Sequence, residues 1–137
     1  MGYGQWCQIT LANRTGKTIT TKNLNHISGK FFEFPNPDKE IDPGSINNKD
    51  IADKKNLTFA HRGRENATYG CDASIEVWCD NTKICKLYWS VPHGSNKECE
   101  LTATEKTSDD FVVNLPPYYK PGSMGSVTIN FFYTGDN

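Results

Sequence analysis

The segment Ser74-Ile75-Glu76-Val77-Trp78-Cys79-Asp80-Asn81-Thr82-Lys83-Ile84-Cys85-Lys86-Leu87-Tyr88-Trp89 decides the fold. Two runs alternate apolar and polar residues with period two, the repeat of a half-buried strand, and a polar turn separates them. Pairing Cys79 with Cys85 across the turn sets Val77 against Leu87 and Ile75 against Trp89, so the apolar residues fall on one face. Trp89 shares the face of Leu87 and Val91 and is expected in the core.

The same period recurs outward from this hairpin. Cys7, Ile9 and Leu11 alternate with Trp6, Gln8 and Thr10, and Leu57, Phe59 and His61 form a similar set. Val127, Ile129, Phe131 and Tyr133 close the pattern. Further strands are expected over Lys17–Leu24, Lys30–Phe34, Glu98–Thr104 and Asp110–Leu115, punctuated by Asn13-Arg14-Thr15-Gly16, Pro35-Asn36-Pro37 and Pro121-Gly122. The polar segment Asn36–Lys55 reads as a loop with at most a helical turn. Short strands at this spacing, with no helical period, predict an all-β chain: an antiparallel β-sandwich, one domain over residues 1–137.

Charge narrows the function classes. With 15 Lys+Arg against 16 Asp+Glu, the chain lacks the basic footprint of a nucleic-acid binder. No stretch approaches the ~20 apolar residues of a spanning helix. The opening Met-Gly-Tyr-Gly-Gln-Trp has no charged and apolar leader, so synthesis without a secretory signal is expected.

Five cysteines (Cys7, Cys71, Cys79, Cys85, Cys99) are an odd number, so at least one thiol is left over. Directly opposed hairpin residues have Cα atoms about 4.5–5.5 Å apart, a span a disulfide can close, which makes Cys79 and Cys85 a candidate bond. Both also read as buried thiols, as a reducing compartment favours. No cysteine stands at zinc-ligand spacing from His26, His61 or His93, so no metal site is expected. Nor does any motif imply a cofactor.

Catalytic constellations are thin. There is no Gly-x-Ser-x-Gly elbow, and Gly122-Ser123-Met124-Gly125-Ser126 reads as a turn. A calcium loop in Asp38–Gly44 fails because its glycine is one position late and Lys49 stands where a glutamate ligand belongs. The residues therefore describe a small all-β binding module and no enzyme.

Gly2-Tyr3-Gly4-Gln5-Trp6, then Lys22-Asn23-Leu24 and Gly29-Lys30, is similar to the opening of the aegerolysin family. Gly63-Arg64 with Gly70, the stretch Leu87-Tyr88-Trp89-Ser90-Val91-Pro92-His93-Gly94-Ser95, and Gly122-x-x-Gly125-Ser126-Val127-Thr128-Ile129 continue the resemblance in order along the chain. It implies a small β-sandwich that recognises membrane lipid on target cells. It further implies a larger partner with a membrane attack complex/perforin domain, which forms the pore, and an insecticidal role as in some pairs of this kind. Assembly of copies on the membrane is also expected.

By family position or adjacency, the expected lipid-binding set is Trp6, Phe31, Tyr69, Tyr88, His93 and Lys97; the Pro-bounded loop adds Tyr118 and Tyr119. Compared with sphingolipid-selective members, Ser28 and His93 stand in place of Trp, Tyr69 in place of an acid, and Asn96 in place of Lys. These exchanges imply a lipid other than sphingomyelin or ceramide phosphoethanolamine. Because Tyr and Trp also stack on sugars, a lectin-like glycan-binding module without a pore-forming role is the alternative.

Overall fold

A computed structural model describes residues 5–64, 70–93, 98–118 and 122–135. Its strands are β1 (Trp6–Arg14), β2 (Ile19–Ser28), β3 (Lys30–Glu33), β4 (Asn36–Glu40), β5 (Asp50–Ile51) and β6 (Asn56–Arg62). They continue with β7 (Cys71–Cys79), β8 (Thr82–Val91), β9 (Glu100–Thr104), β10 (Phe111–Asn114) and β11 (Gly125–Tyr133). A six-stranded sheet runs β10-β11-β1-β6-β3-β4 and a five-stranded sheet runs β5-β2-β7-β8-β9.

The period-two residues fill the space between the sheets. Ile9, Leu11, Ile129 and Phe131 of one sheet and Ile75, Val77, Leu87 and Trp89 of the other are 0% exposed. Each such side chain contributes about 1.5–3 kcal/mol by leaving water.

Three sequence expectations change. The β7–β8 register pairs Val77 with Cys85, Ile75 with Leu87 and Ala73 with Trp89, two residues away from the expected pairing. The turn is only Asp80-Asn81, with Asp80 at φ 51° as the first central position of a tight hairpin requires, and an irregularity between Val77 and Trp78 takes up the extra residue. A slip of two keeps every apolar residue on the inner face but places Cys79 opposite Thr82. The Cys79–Cys85 disulfide is thereby overturned: both are buried free thiols, and burial pushes Cys85 up to about 12.

Second, Asn36–Lys55 is more ordered than a loop. It supplies β4, a 3-10 turn over Pro43–Ser45 and β5. Ile46 and Ile51, 1% and 3% exposed, pin the segment to the core, and Asp42 caps the turn through Gly44 N at 2.9 Å. Third, the sandwich is not wholly antiparallel, because β1 and β11 pair in parallel from Cys7–Gly125 to Arg14–Phe132.

The outer faces differ in chemistry. On the five-stranded sheet Lys22 lies opposite Glu76 and Glu76 opposite Lys86. Lys83 joins them, 3.5 Å from Glu76 and paired with Glu105. On the six-stranded sheet Thr10 lies between Thr58 and Thr128, Gln8 between Ala60 and Ser126, and Ala12 between Asn56 and Asn130. Val112 and Phe132 face each other at the β10 edge.

Candidate functional site

The strand pairings bring many of the singled-out residues to one end of the sandwich. Trp6 opens β1 opposite Arg62 at the close of β6, and Ser28 at the close of β2 lies opposite Asp72 near the start of β7. Val91 closes β8 against Cys71, and Gly125 opens β11 beside Cys7.

Close backbone packing shapes this end. A Cβ on Gly70 would meet the Val91 carbonyl oxygen at 1.6 Å, and one on Gly29, at φ 96°, would meet that of Arg62 at 2.4 Å. Only glycine fits at either position.

A polar cavity of about 590 Å³ is lined by His26, Ile27, Ser28, Gly29, Arg64, Gly70 and Asp72. Its carboxylate is held in place from both sides. Ser28 Oγ donates to Asp72 Oδ1 at 2.5 Å, and Tyr88 OH donates to Asp72 Oδ2 at 3.2 Å. Burial raises the Tyr88 pKa and the nearby Asp72 charge adds to the shift, so the phenol keeps its proton. Arg64 brings the opposite charge to the same wall. A cavity with a fixed carboxylate and a guanidinium suits a head group carrying both signs.

Behind His26 the site reaches into the core. Trp89 Nε1–H donates to His61 Nδ1 at 3.0 Å, so the His61 proton sits on Nε2, which lies 3.0 Å from His26 Nε2. His61 therefore donates and His26 accepts. Phe31 stacks on His61 with ring centroids 4.2 Å apart, 16° from parallel. Burial first, and then the His26 charge, hold the His61 pKa well below its ordinary value. Burial also lowers that of His26, against the raising influence of the Gly29 backbone.

A second, apolar concavity of about 210 Å³ lies between Trp6, Phe32, Phe34, Pro35, Pro37 and Arg62. Trp6 and Phe34 rings meet at 5.4 Å, and Phe34 is 42% exposed. The Arg62 guanidinium fixes the floor, donating to the carbonyls of Pro37 at 2.7 Å and Gly63 at 2.9 Å. A third, of about 350 Å³, is lined by Pro117, Tyr118, Met124, Gly125, Ser126 and Val127.

Trp6, Tyr88, His93 and Tyr118 thus gather at this end, His93 exposed with Nδ1 3.3 Å from Gln5 Oε1. Phe31 is corrected: at 1% exposure, packed between His61 and Phe59, it offers no surface to a ligand. Tyr69, Lys97 and Tyr119 lie outside the described residues. Sequence reasoning missed Phe34, Ile27 and Asp72. Phe34 had a signal in the prolines that follow it; the other two look like ordinary strand residues. Among the described residues no three His, Cys, Asp or Glu side chains converge as a metal site.

A two-sheet β-sandwich with a parallel pair inside one sheet, and with adjoining polar and aromatic concavities at one end, has the form of a binding protein. The chain belongs to the aegerolysin family, whose profile matches residues 4–134. It is 27% identical over 137 residues to aegerolysin Aa-Pri1 of Cyclocybe aegerita, covering 98% of this chain and 94% of that protein. Asp-hemolysin of Aspergillus fumigatus is 27% identical over 129 residues, 93% of this chain and 91% of its own length. Among solved structures, IP-1A from Alcaligenes faecalis superposes with a TM-score of 0.86 at 27% identity, covering 98% of this chain and 94% of that one.

Proposed function

We propose that this chain recognises lipid on a target membrane with its cavity-bearing end, as the docking component of a two-component pore-forming toxin. The carrying observation is the pairing, at one end of an aegerolysin fold, of the Trp6–Phe34 concavity with the Asp72–Arg64 cavity. Trp and Phe suit the boundary between water and acyl chains, while the fixed carboxylate and guanidinium suit a polar head group. Ser28 leaves open the space that a Trp would fill, which favours a head group other than that of sphingomyelin or ceramide phosphoethanolamine. The name of the Aspergillus fumigatus relative, a hemolysin, accords with a lytic role. The partner is a larger protein with a membrane attack complex/perforin domain, the target is an insect cell, and the chain acts at that cell's membrane.

The test is binding to vesicles made from total lipid extracts of insect and other cells, followed by dye leakage with and without a perforin-domain partner. Trp6→Ala and Asp72→Asn are expected to weaken vesicle binding by about tenfold each, while leakage requires both proteins. Absence of binding to every extract would remove the lipid reading. Saturable binding to a glycan array without lipid dependence would replace it with the lectin.

A further inference from the structure

We propose that Cys7 and Cys71 are a cross-linking site, two thiols on facing sheets that a small-molecule disulfide closes into one bond across the sandwich. Cys7 faces inward from β1 of the six-stranded sheet and Cys71 inward from β7 of the five-stranded sheet, 0% and 2% exposed. Their thiols are hydrogen-bonded to each other. Cys71 Sγ also lies 3.9 Å from the carbonyl oxygen of Gln5, just before β1, which sets it at the opening of that strand. Contact between the two sulfurs separates this pair from thiols that only fill space as small hydrophobes.

Facing sheets ordinarily pack about 10 Å apart, whereas a disulfide needs Cα atoms within roughly 4.4–6.8 Å of each other. The sheets of this sandwich pinch together at this corner. Cys7 lies opposite His61 on β6, and the next residue, Arg62, turns its carbonyl toward Gly29. A Cβ on Gly29 would meet that oxygen at 2.4 Å and Cys71 Cβ at 2.6 Å, so one glycine backbone is all that separates the end of β6 from the start of β7. On its other side Cys71 is paired with Val91, whose carbonyl presses on Gly70. The pinch gives the two sulfurs the short span that the bond demands. None of the other cysteines is so placed. Cys79 lies opposite Thr82 and Cys85 opposite Val77, both toward the far hairpin turn. Cys99 is turned to the Gly122 carbonyl, to which its thiol donates at 3.3 Å.

The oxidant is a low-molecular-weight disulfide such as glutathione disulfide. Burial first, and then the hydrogen bond with Cys7, push the Cys71 thiol well above its ordinary pKa, so the closed corner reacts slowly and the exchange proceeds as that corner opens. Deprotonated there, Cys71 attacks one sulfur of glutathione disulfide; that sulfur–sulfur bond breaks, a mixed disulfide forms and one glutathione leaves. Cys7 then attacks the Cys71 sulfur of the mixed disulfide and releases the second glutathione. Two protein thiols thereby lose two electrons and two protons, and one glutathione disulfide gains them as two glutathione thiols. Trp6 stands directly before Cys7 and Asp72 directly after Cys71, so the bond ties a wall of the apolar concavity to a wall of the polar one. It also closes a long stretch of chain, which removes more freedom from the unfolded state than a link within one hairpin would.

The experiment refolds the full chain from urea in a mildly alkaline buffer of glutathione and glutathione disulfide, blocks the remaining thiols with N-ethylmaleimide and maps the peptides by mass. Two of the five thiols should be lost, in a single link joining Cys7 to Cys71, with Cys79, Cys85 and Cys99 all blocked. The linked chain should unfold at a higher urea concentration than the reduced chain, and dithiothreitol should return it to the lower midpoint. Cys85→Ala should still form the link and show the same shift, whereas Cys7→Ala should show neither. Five blocked thiols in the unaltered chain, a mixture of links, a link through Cys99, or a midpoint that does not rise on closure would each overturn the proposal. No step of this experiment involves lipid, so failure of the chain to bind vesicles would count against the docking reading alone.

Discussion

The two ends of the sandwich are closed by different means. At the end away from the cavities, Asn13, itself 0% exposed, donates Nδ2–H to the carbonyls of Lys17 at 2.6 Å and Ile51 at 2.8 Å. Its Oδ1 accepts from both the amide and the hydroxyl of Thr15. Asp53 accepts from Gly16 N, and the hairpin turn beyond carries the Lys83 ion cluster. One amide side chain thus ties three segments together through short links. The cavity end is held from beneath, by Trp89, His61 and Phe31 in the core and by backbones touching at Gly70. Its rim is left with charges, aromatic rings and open volume. A fold secured at one end and from below can vary its rim without losing its core, and Ser28 and His93, both singled out in the sequence, fall on that rim.

Substituting the glycines at the two ends should separate them most sharply. Gly70→Ala is expected to cost roughly 3 kcal/mol or more, because its Cβ would overlap the Val91 carbonyl and the strand ends must part. Gly16→Ala has open space, and only its φ of 82° penalises a side chain, at about 1 kcal/mol. Urea unfolding of both variants reads the difference; equal losses would show that Gly70 is not the tighter position.

At the tied end, Asn13→Ala leaves the buried carbonyl of Ile51 and the Thr15 amide without this partner. A loss of about 2–3 kcal/mol is expected by the same measurement. A loss below about 0.5 kcal/mol would mean that water replaces the side chain.

An effect with a sign opposite to that of a salt-bridged histidine follows from pH at the cavity end. His61 and His26 are both held below their ordinary values, burial being the main cause. The unfolded chain takes up protons that the folded pair resists. Stability is therefore full above about pH 6.5 and declines as pH falls below it, by at most ~1.4 kcal/mol per pH unit for the buried His61 and by less for His26, which solvent screens. Protonated His26 would also set two N–H groups face to face across the 3.0 Å contact. Unfolding series at pH 7, 6 and 5 should show the decline, and His26→Gln should make it shallower.

The smallest change is expected on the charged outer face. Lys83→Met removes ion pairs to Glu76 and Glu105, both near the surface, and should shift the urea midpoint less than either glycine or the Asn13 substitution. Burial opposes the Glu76 charge, but hydrogen bonds from Asn23 and Trp78 and the Lys83 charge outweigh it and hold its pKa down. Salt should therefore shrink the difference between Lys83→Met and the parent, and an undiminished difference in high salt would point to packing of the lysine stem instead.

Much of the architecture was legible because period two survives without knowledge of partners. Trp89, Ile75 and Phe131 could be placed inside from alternation alone, and so could the buried His61. Register was less legible: a one-residue irregularity beside Trp78 leaves the inward pattern intact, so the sequence reads equally well with Cys79 opposite Cys85 or opposite Thr82. Parallel pairing of β1 with β11 leaves no local mark either, since it joins residues more than a hundred positions apart. At the site, Trp6 and Tyr88 could be singled out as outward aromatics, but Phe31 and Phe32 could not be told apart until β3 had a register against β6. The Ser28–Asp72–Tyr88 group draws on three strands, and no spacing within one segment announces it.

The parallel pairing of β1 and β11 also sets how the molecule bears load. A pull on the chain before Trp6 and beyond Tyr133 acts at opposite ends of two neighbouring strands. It strains the ladder from Cys7–Gly125 to Arg14–Phe132 in shear, with all its hydrogen bonds sharing the force at once. A cargo fused after Tyr133 would sit away from the cavities, and force passed through it would meet the fold in its mechanically strongest direction.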